Sequence, residues 1–248
     1  MSQSLLVIPH YRDTLRLRPF LKSLIETLPK HFTILISDDG SDDEEVARLC
    51  TLVREFQNAS NEPGPTLLAA LLHAPNTGKG GAVLRGWDHD DEFSLLIFAD
   101  ADGAVSANEI VRSEHFVRAS DGKLDALFGS RVKMLGRSIN RLPLRHVMGR
   151  VFATFVSLVA GVGAYDTQCG LKILTSETFQ RIRPNMKCLG FAFDVEICLL
   201  LLKTGSKVIE FPVDWRDVAG SKVRLLRDSV RMAVEVIRIR RRVAEIQT

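Results

Sequence analysis

Short apolar runs alternate along the first 130 positions with longer segments whose apolar residues recur every three or four places, the two periods of strand and helix. SLLVI (4–8), FTILIS (32–37), TLLAALLHA (66–74), SLLIFA (94–99) and DALFGS (125–130) read as buried strands. RLRPFLKSLIETL (16–28) has helical spacing. In DDGSDDEEVARLC (38–50), Ser41 is placed to cap a helix whose first turn is rich in acids, as the helix dipole favours. GKGGAVLRGWDHD (78–90) opens a third helix, and Ser106 with Glu109 predicts a capping box for a fourth. QNASNEPGP (57–65) is a loop by composition. Strand following helix in this order predicts an α/β fold, a mostly parallel sheet covered on both faces.

Composition fits one large domain. The chain has 248 residues, 46% hydrophobic and 25% charged, enough for a sizeable core and too apolar for disorder. Its four cysteines lack metal or redox spacing, which points to a reducing compartment, and the six histidines have no ligand-like spacing. No basic leader precedes the apolar pattern that begins at Leu5, and the longest uncharged stretch, 151–165, falls short of the ~20 residues a membrane span needs. A cytoplasmic protein is expected.

Charge is uneven. Between Arg131 and Arg150 there are six basic residues and no acid; from Arg216 onward there are nine basic and four acidic. The net +3 therefore comprises +6 and +5 on these segments and −8 elsewhere. A phosphate-bearing partner or an anionic surface accounts for this, as would a solvated helix face. No nucleic-acid partner is called for. Residues 223–248 have helical periodicity, with Leu226, Val230, Ala233, Val234 and Ile237 as an apolar stripe beside arginines. The expected organisation is a domain over 1–222 and a basic amphipathic helix over 223–248.

The fourth strand runs into Asp100 and Asp102, separated by Ala101. Ligands of such sheets gather at the carboxyl ends of strands, where Asp38 and Asp39 also fall. If the chain stays extended, Asp100 and Asp102 face one ligand while Ala101 turns away. Two hard oxygen ligands suit Mg²⁺ or Mn²⁺ completed by water and phosphate; a turn-and-cap role is the alternative. Residues 76–81, NTGKGG, place three glycines and a lysine at a strand-to-helix turn, where free N–H groups favour an anion. A tight helix start would use the same residues. Neither a dinucleotide fingerprint nor a P-loop is present.

In order, these blocks resemble glycosyltransferase family 2, the inverting nucleotide-sugar transferases with a GT-A fold. VIPHYRD (7–13) is similar to that family's opening block, ISDDGSDD (36–43) to its nucleotide-binding block and FADADG (98–103) to its Asp-x-Asp metal motif. NTGKGGAVLRG, FGSR, YDTQCGLKIL, GFAFDVE and DWRDVAGSK resemble the polyprenyl-phosphate sugar synthases, above all the dolichyl-phosphate glucose synthase branch. Two departures stand out: His10-Tyr11-Arg12-Asp13 stands where the family commonly has Asn-Glu, with Asp13 replacing that acid one residue later, and Gly149 stands where some relatives have serine.

The resemblance implies a role for each block. Asp102 is the principal metal ligand, with Asp100 near the metal or ribose. Asp39, with Asp38 beside it, reads the base in a pocket lined by Pro9 and Tyr11, with Asp13 as the block's acid. Gly78, Lys79 and Ala101 belong to the nucleotide-sugar site, and Ser221 and Lys222 fold over the pyrophosphate on a loop hinged at Gly220. Arg131 and Arg145, with Arg150 in reserve, hold the acceptor phosphate. Asp166 and Gln168 lie on the acceptor side, orienting the sugar or an arginine. Asp194 and Glu196 are catalytic candidates only if their segment is extended, because in a helix they diverge.

Chemistry supports this division. Displacing a nucleoside diphosphate builds negative charge that a divalent cation stabilises. An acceptor phosphate is already anionic and needs positioning, for which arginine is suited. The expected function is transfer of a hexose, glucose from UDP-glucose, to a polyprenyl or dolichyl phosphate. The enzyme would sit peripherally on an anionic surface at the cytoplasmic membrane face. A GDP-mannose-dependent version and a catalytically silent nucleotide-sugar-binding or scaffolding subunit are the alternatives.

Overall fold

The computed structural model describes residues 3–59, 64–89, 92–140, 163–218 and 225–246, with isolated positions 154, 156, 159 and 161; at 140 and 225–230 it describes backbone only. The chain runs β1 (Ser4–His10), α1 (Thr14–Thr27), β2 (Phe32–Asp39), α2 (Asp43–Ala59), β3 (Thr66–Leu67), β4 (Leu71–His73) and α3 (Lys79–Trp87). It continues through β5 (Leu95–Ala99), α4 (Ala107–Ala119), β6 (Ala126–Ser130), β7 (Ile139–Asn140), β8 (Leu171–Thr175), α5 (Ser176–Ile182) and α6 (Phe193–Lys203). β9 (Val208–Pro212), β10 (Trp215–Arg216) and α7 (Leu225–Glu245) complete it.

The main sheet has the order β3-β2-β1-β5-β8-β6-β9, with β4 also pairing β2. Strands β1, β2 and β5 are parallel, and β9 is parallel to β6. Among the described strands of this sheet only β8 runs the other way, antiparallel to both β5 and β6. β7 and β10 form a separate parallel pair.

Side-chain alternation in the strands builds two cores. Leu5 and Val7 of β1 and Leu96 and Phe98 of β5 face one side, packing with Val83, Trp87, α6 and α7. Leu6, Ile8, Ile97 and Ala99 face the other, against α1, α2 and α4. The two-residue strand period thus makes one apolar run serve both faces. α6 has nine buried residues among its eleven because α7 covers the side turned away from the sheet.

Four local expectations change. The 66–74 run breaks into β3 and β4: Leu67 pairs Ile34 while Leu71 pairs Ser37, so four steps oppose three. One extra residue forms a bulge, which re-aims the chain toward Asp39. The cap of α2 is Asp42, whose Oδ1 accepts Glu45 N–H at 3.0 Å, while Ser41 is claimed by buried Asp38. Ser106 caps α4 as expected, but Glu109 does not complete a box; its carboxylate takes Arg112, Arg137 and the Asp214 N–H.

The fourth change concerns the C-terminal helix. Leu226 and Val230 of the expected stripe lie outside the described side chains; among those described, Val236, Ile239 and Val243 are buried, spaced to lie on one face and packed into the first core. Val234 and Ile237, from the expected stripe, are 45% and 39% exposed. α7 therefore carries apolar residues on two faces, and only packing against α6 selects which is covered. Ile239→Ala should destabilise the whole domain by about 2–5 kcal/mol, the usual range for such a truncation. A urea midpoint unchanged from wild type would show that α7 is a detachable arm.

Candidate active site

The parallel strands bring their carboxyl ends to one edge. His10 ends β1, Asp38 and Asp39 end β2, Asp100 follows β5 and Arg131 follows β6. Because β8 is reversed, its amino end arrives at the same edge: Ala99 pairs Leu171, which sets residues 166–170 beside Asp100.

Asp38 is wholly internal. Its Oδ1 lies 2.7 Å from His10 Nδ1 and accepts Ser41 Oγ–H at 2.6 Å; its Oδ2 accepts Ser41 N–H at 2.9 Å. Asp13 N–H donates to His10 Nε2 at 3.2 Å, so the ring proton sits on Nδ1 and points at Asp38. Burial pushes the Asp38 carboxyl up, but the hydrogen bonds from His10 and Ser41 outweigh it and leave it below its ordinary value. Asp38 ties the β1 and β2 loops together.

Asp39 receives the glycine turn. Its Oδ1 accepts Thr77 N–H at 2.9 Å and Thr77 Oγ1–H at 3.0 Å, and its Oδ2 accepts Gly78 N–H at 2.7 Å. Two of the N–H groups expected to be free for an anion are therefore spent on a carboxylate of the chain itself. Gly78 has φ +106°, and a Cβ there would lie 2.6 Å from the Leu189 carbonyl, so no other residue fits without rearrangement. Pro9 is half-buried in β1 beside Ser37, and Tyr11 is exposed with Arg12 over its ring.

The Asp100–Asp102 segment is a turn rather than a continued strand, since Gly103 N–H donates to the Asp100 carbonyl at 3.3 Å. Ala101 is buried. Asp102 Oδ1 accepts Ala104 N–H at 3.0 Å, and its Oδ2 faces Arg16 Nη1 at 3.9 Å, beyond hydrogen-bond reach. Burial, then the charge of Asp100, pushes the Asp102 carboxyl up. Asp100 goes the other way: burial opposes ionisation, but Lys79 Nζ at 2.6 Å outweighs it. The two carboxylate side chains remain 31% and 25% exposed. They fit Mg²⁺ or Mn²⁺ as a pair of hard oxygen donors, and among the described residues no third acidic, histidine or cysteine ligand joins them.

Beneath this pair lies a second layer of charge. Lys172, in the middle of β8 and 0% exposed, reaches Asp194 at 2.6 Å and the Cys169 carbonyl at 2.9 Å between the rings of Phe98 and Phe128. Asp194 and Glu196 are helical in α6 and diverge: Glu196 takes the Lys187 and Cys188 N–H groups. Neither reaches the open edge.

Arg131 is held by Asp166. Its Nε and Nη2 donate to the two Asp166 oxygens at 2.6 and 2.7 Å, its backbone N–H adds a third bond at 3.0 Å, and Trp215 lies 4.8 Å from the guanidinium carbon. Burial opposes its charge, but Asp166 keeps it firmly protonated. Glu210 in turn fixes Asp166, accepting its N–H at 2.7 Å and the Ser130 hydroxyl at 3.1 Å. Gln168 N–H reaches Asp166 Oδ1 at 3.3 Å. Of the expected alternatives for Asp166, orienting an arginine is the one the geometry supports.

Arg145, Arg150, Gly220, Ser221 and Lys222 lie outside the described residues. Residues missed from sequence include Arg16, Thr77, Lys172 and Glu210. Arg16 is clamped by Asp13 one helical turn back, a spacing visible in sequence. Lys172 and Glu210 each interrupt an apolar run, which is a signal for a buried charge needing a partner.

A parallel sheet with one reversed strand, and an aspartate pair at its carboxyl edge, is the GT-A fold of glycosyltransferases. Solved structures agree in fold: glucosyl-3-phosphoglycerate synthase from Mycobacterium tuberculosis, in complex with Mn²⁺, UDP-glucose and phosphoglyceric acid, superposes with TM-score 0.71 at 11% identity, covering 100% of this chain and 82% of that one. The pattern of glycosyl transferase family 2 matches residues 5–133, and the chain belongs to that family. It is 34% identical to a dolichyl-phosphate beta-glucosyltransferase of Dictyostelium discoideum over 94% of this chain and 72% of that protein. The corresponding protein of Saccharomyces cerevisiae is 31% identical over 94% and 73%. This chain is a glycosyltransferase.

The depressed Asp38 carboxyl makes a pH prediction. A folded-state value below the unfolded one adds stability that is complete above the ordinary range near ~4 and is lost as pH falls through the folded value. Asp38→Asn should thus cost most at neutral pH, with the gap to wild type closing below pH ~4 as the wild-type carboxyl protonates. Denaturant titrations at several pH values check this, and a gap that does not narrow in acid contradicts it.

Proposed function

We propose that this glycosyltransferase moves glucose, with inversion, from UDP-glucose to dolichyl phosphate or a related polyprenyl phosphate. The observation that carries the reading is the meeting, at one sheet edge, of a partly open aspartate pair and an arginine pre-set by a bidentate carboxylate. The names of the sequence relatives supply the acceptor class and sugar, and the structural neighbours bound to UDP-glucose and Mn²⁺ support the donor.

The donor half comprises Asp100, Asp102, Lys79 and the Asp39 turn, with Pro9 and Tyr11 flanking it. Asp38 is left a structural part. Asp102, through Oδ2, and Asp100 would hold Mg²⁺ or Mn²⁺, which when bound supplies charge stabilisation to the departing diphosphate. Lys79 gives the same edge a cation of its own. Arg131 spends two of its five N–H donors on Asp166, which leaves Nη1 for the acceptor phosphate and fixes the plane from which it binds. The acceptor oxygen is already charged, so positioning rather than proton removal is what the protein provides.

The outer face of α7 carries exposed Val234 and Ile237 with Arg231, Arg238 and Arg241. No helix of the described residues is long and apolar enough to cross a membrane. This face is suited to lie on an anionic surface, each basic residue contributing about 1 kcal/mol near it. Full-length protein should co-sediment with phosphatidylglycerol vesicles at low salt and release as salt screens the charge. Equal binding to neutral vesicles, or none to either, removes the membrane role of this face.

Catalysis is tested with labelled UDP-glucose, dolichyl phosphate and Mn²⁺, with GDP-mannose as competitor donor. Asp102→Asn should lower turnover by roughly two orders of magnitude or more while the fold persists, because a neutral amide is a poor ligand for a hard cation. Arg131→Ala should raise the KM for lipid phosphate and leave UDP affinity unchanged by calorimetry. Full activity of Asp102→Asn, or in excess EDTA, rejects the metal role; turnover only with GDP-mannose rejects the donor.

A further inference from the structure

The glycine turn that receives Asp39 is held from its far side by a second loop. Gly81 N–H donates to the Leu189 carbonyl at 3.0 Å. A Cβ on Gly80 would lie 2.9 Å from the Cys188 carbonyl, and one on Gly78 2.6 Å from that of Leu189. The 188–190 backbone therefore touches the turn directly at Gly78, Gly80 and Gly81, with the Phe193 side chain packed beside Gly80, and a shift of the loop bears on the turn.

One carboxylate holds that loop. Glu196, in the first turn of α6 and 0% exposed, accepts Lys187 N–H at 3.0 Å and Cys188 N–H at 2.8 Å. It also pairs with the guanidinium of Arg242 on α7. Glu235, two turns earlier on α7, sits against Gly190, where a Cβ would lie 3.2 Å from its Oε2. A carboxylate with no exposed surface keeps its charge in place only with a cation and donors around it. Arg183 is near enough to feel the Glu196 charge, but its guanidinium is hydrogen-bonded to Asp88. Among the described residues, Arg242 is the cation in contact with Glu196.

We propose that Arg242 is a positioning residue for the donor site: through Glu196 it fixes the 187–190 loop, and through that loop the glycine turn that meets Asp39. α7 is then a brace of nucleotide binding as well as a cover for α6. The inference rests on the reading that the Asp39 turn belongs to the donor site, but its first test needs no ligand.

Hydrogen exchange is measured at the amides of residues 78–82 in wild type, Arg242→Ala and Arg242→Lys, together with UDP affinity by calorimetry in Mn²⁺ and steady-state kinetics. In Arg242→Ala, exchange over 78–82 should speed by about tenfold as the turn opens more often. The Kd for UDP and the KM for donor should rise by about tenfold while kcat at saturating donor holds, the signature of binding lost equally from ground and transition state. Arg242→Lys, which keeps the cation, should recover most of both. A fall in Tm with exchange at 78–82 unchanged overturns the proposal, as does faster exchange with unaltered UDP affinity. A wild type that binds no UDP would defeat the donor reading instead, while the exchange result would still decide whether Arg242 positions the turn.

Discussion

Carboxylates gathered where buried strands end repel one another and lose their water, and the architecture of this edge follows from neutralising them. Asp100 takes Lys79, Asp166 takes Arg131, Asp194 takes Lys172 and Glu196 takes Arg242. Asp38 and Asp39 take hydrogen bonds from neighbouring loops instead. Apart from the Ser41 bonds that Asp38 takes from its own loop, each partner comes from another element, His10 of β1 in the case of Asp38, so neutralising a charge also joins two pieces of chain. Asp102 differs in having no cation within hydrogen-bond reach among the described residues, since its second oxygen faces Arg16 at 3.9 Å. That open carboxylate is the one proposed to hold a cation.

Strand reversal at β8 is what allows these pairs to form. An antiparallel strand between β5 and β6 returns the chain to the carboxyl edge and places Gly170 where its carbonyl bonds Asp100 N–H at 3.1 Å. A Cβ there would lie 2.1 Å from Asp100 Oδ2, so glycine is required for the approach. The same reversal puts Lys172 between two rings under the site and leaves Asp166 within reach of Arg131. The proposed donor and acceptor halves are thereby braced separately, one through the glycine turn and α6, the other through Glu210 and Asp166.

Much of this was legible in the sequence. A period of two in the strands and of three to four in the helices announced the α/β alternation, because each element buries a face set by its own backbone repeat. Acids and glycines at strand ends marked the edge, since charge and tight turns are excluded from the interior of a sheet. The divergence of Asp194 from Glu196 once helical followed from spacing, whereas Asp166 as an arginine's support was one of two roles that the family resemblance implied.

Partner choice did not. Ser41 reads as a cap until Asp38 competes for its hydroxyl, and the glycine turn reads as an anion site until Asp39 enters it from a strand nearly forty residues earlier. The apolar stripe of α7 could not be picked from periodicity, because the helix has apolar residues on two faces and only the position of α6 decides which is buried. Local sequence determines which backbone form a segment adopts and which groups need partners, since those depend on a few neighbouring residues. Which donor meets which acceptor depends on distances between elements far apart in the chain, and those exist only once the sheet has assembled.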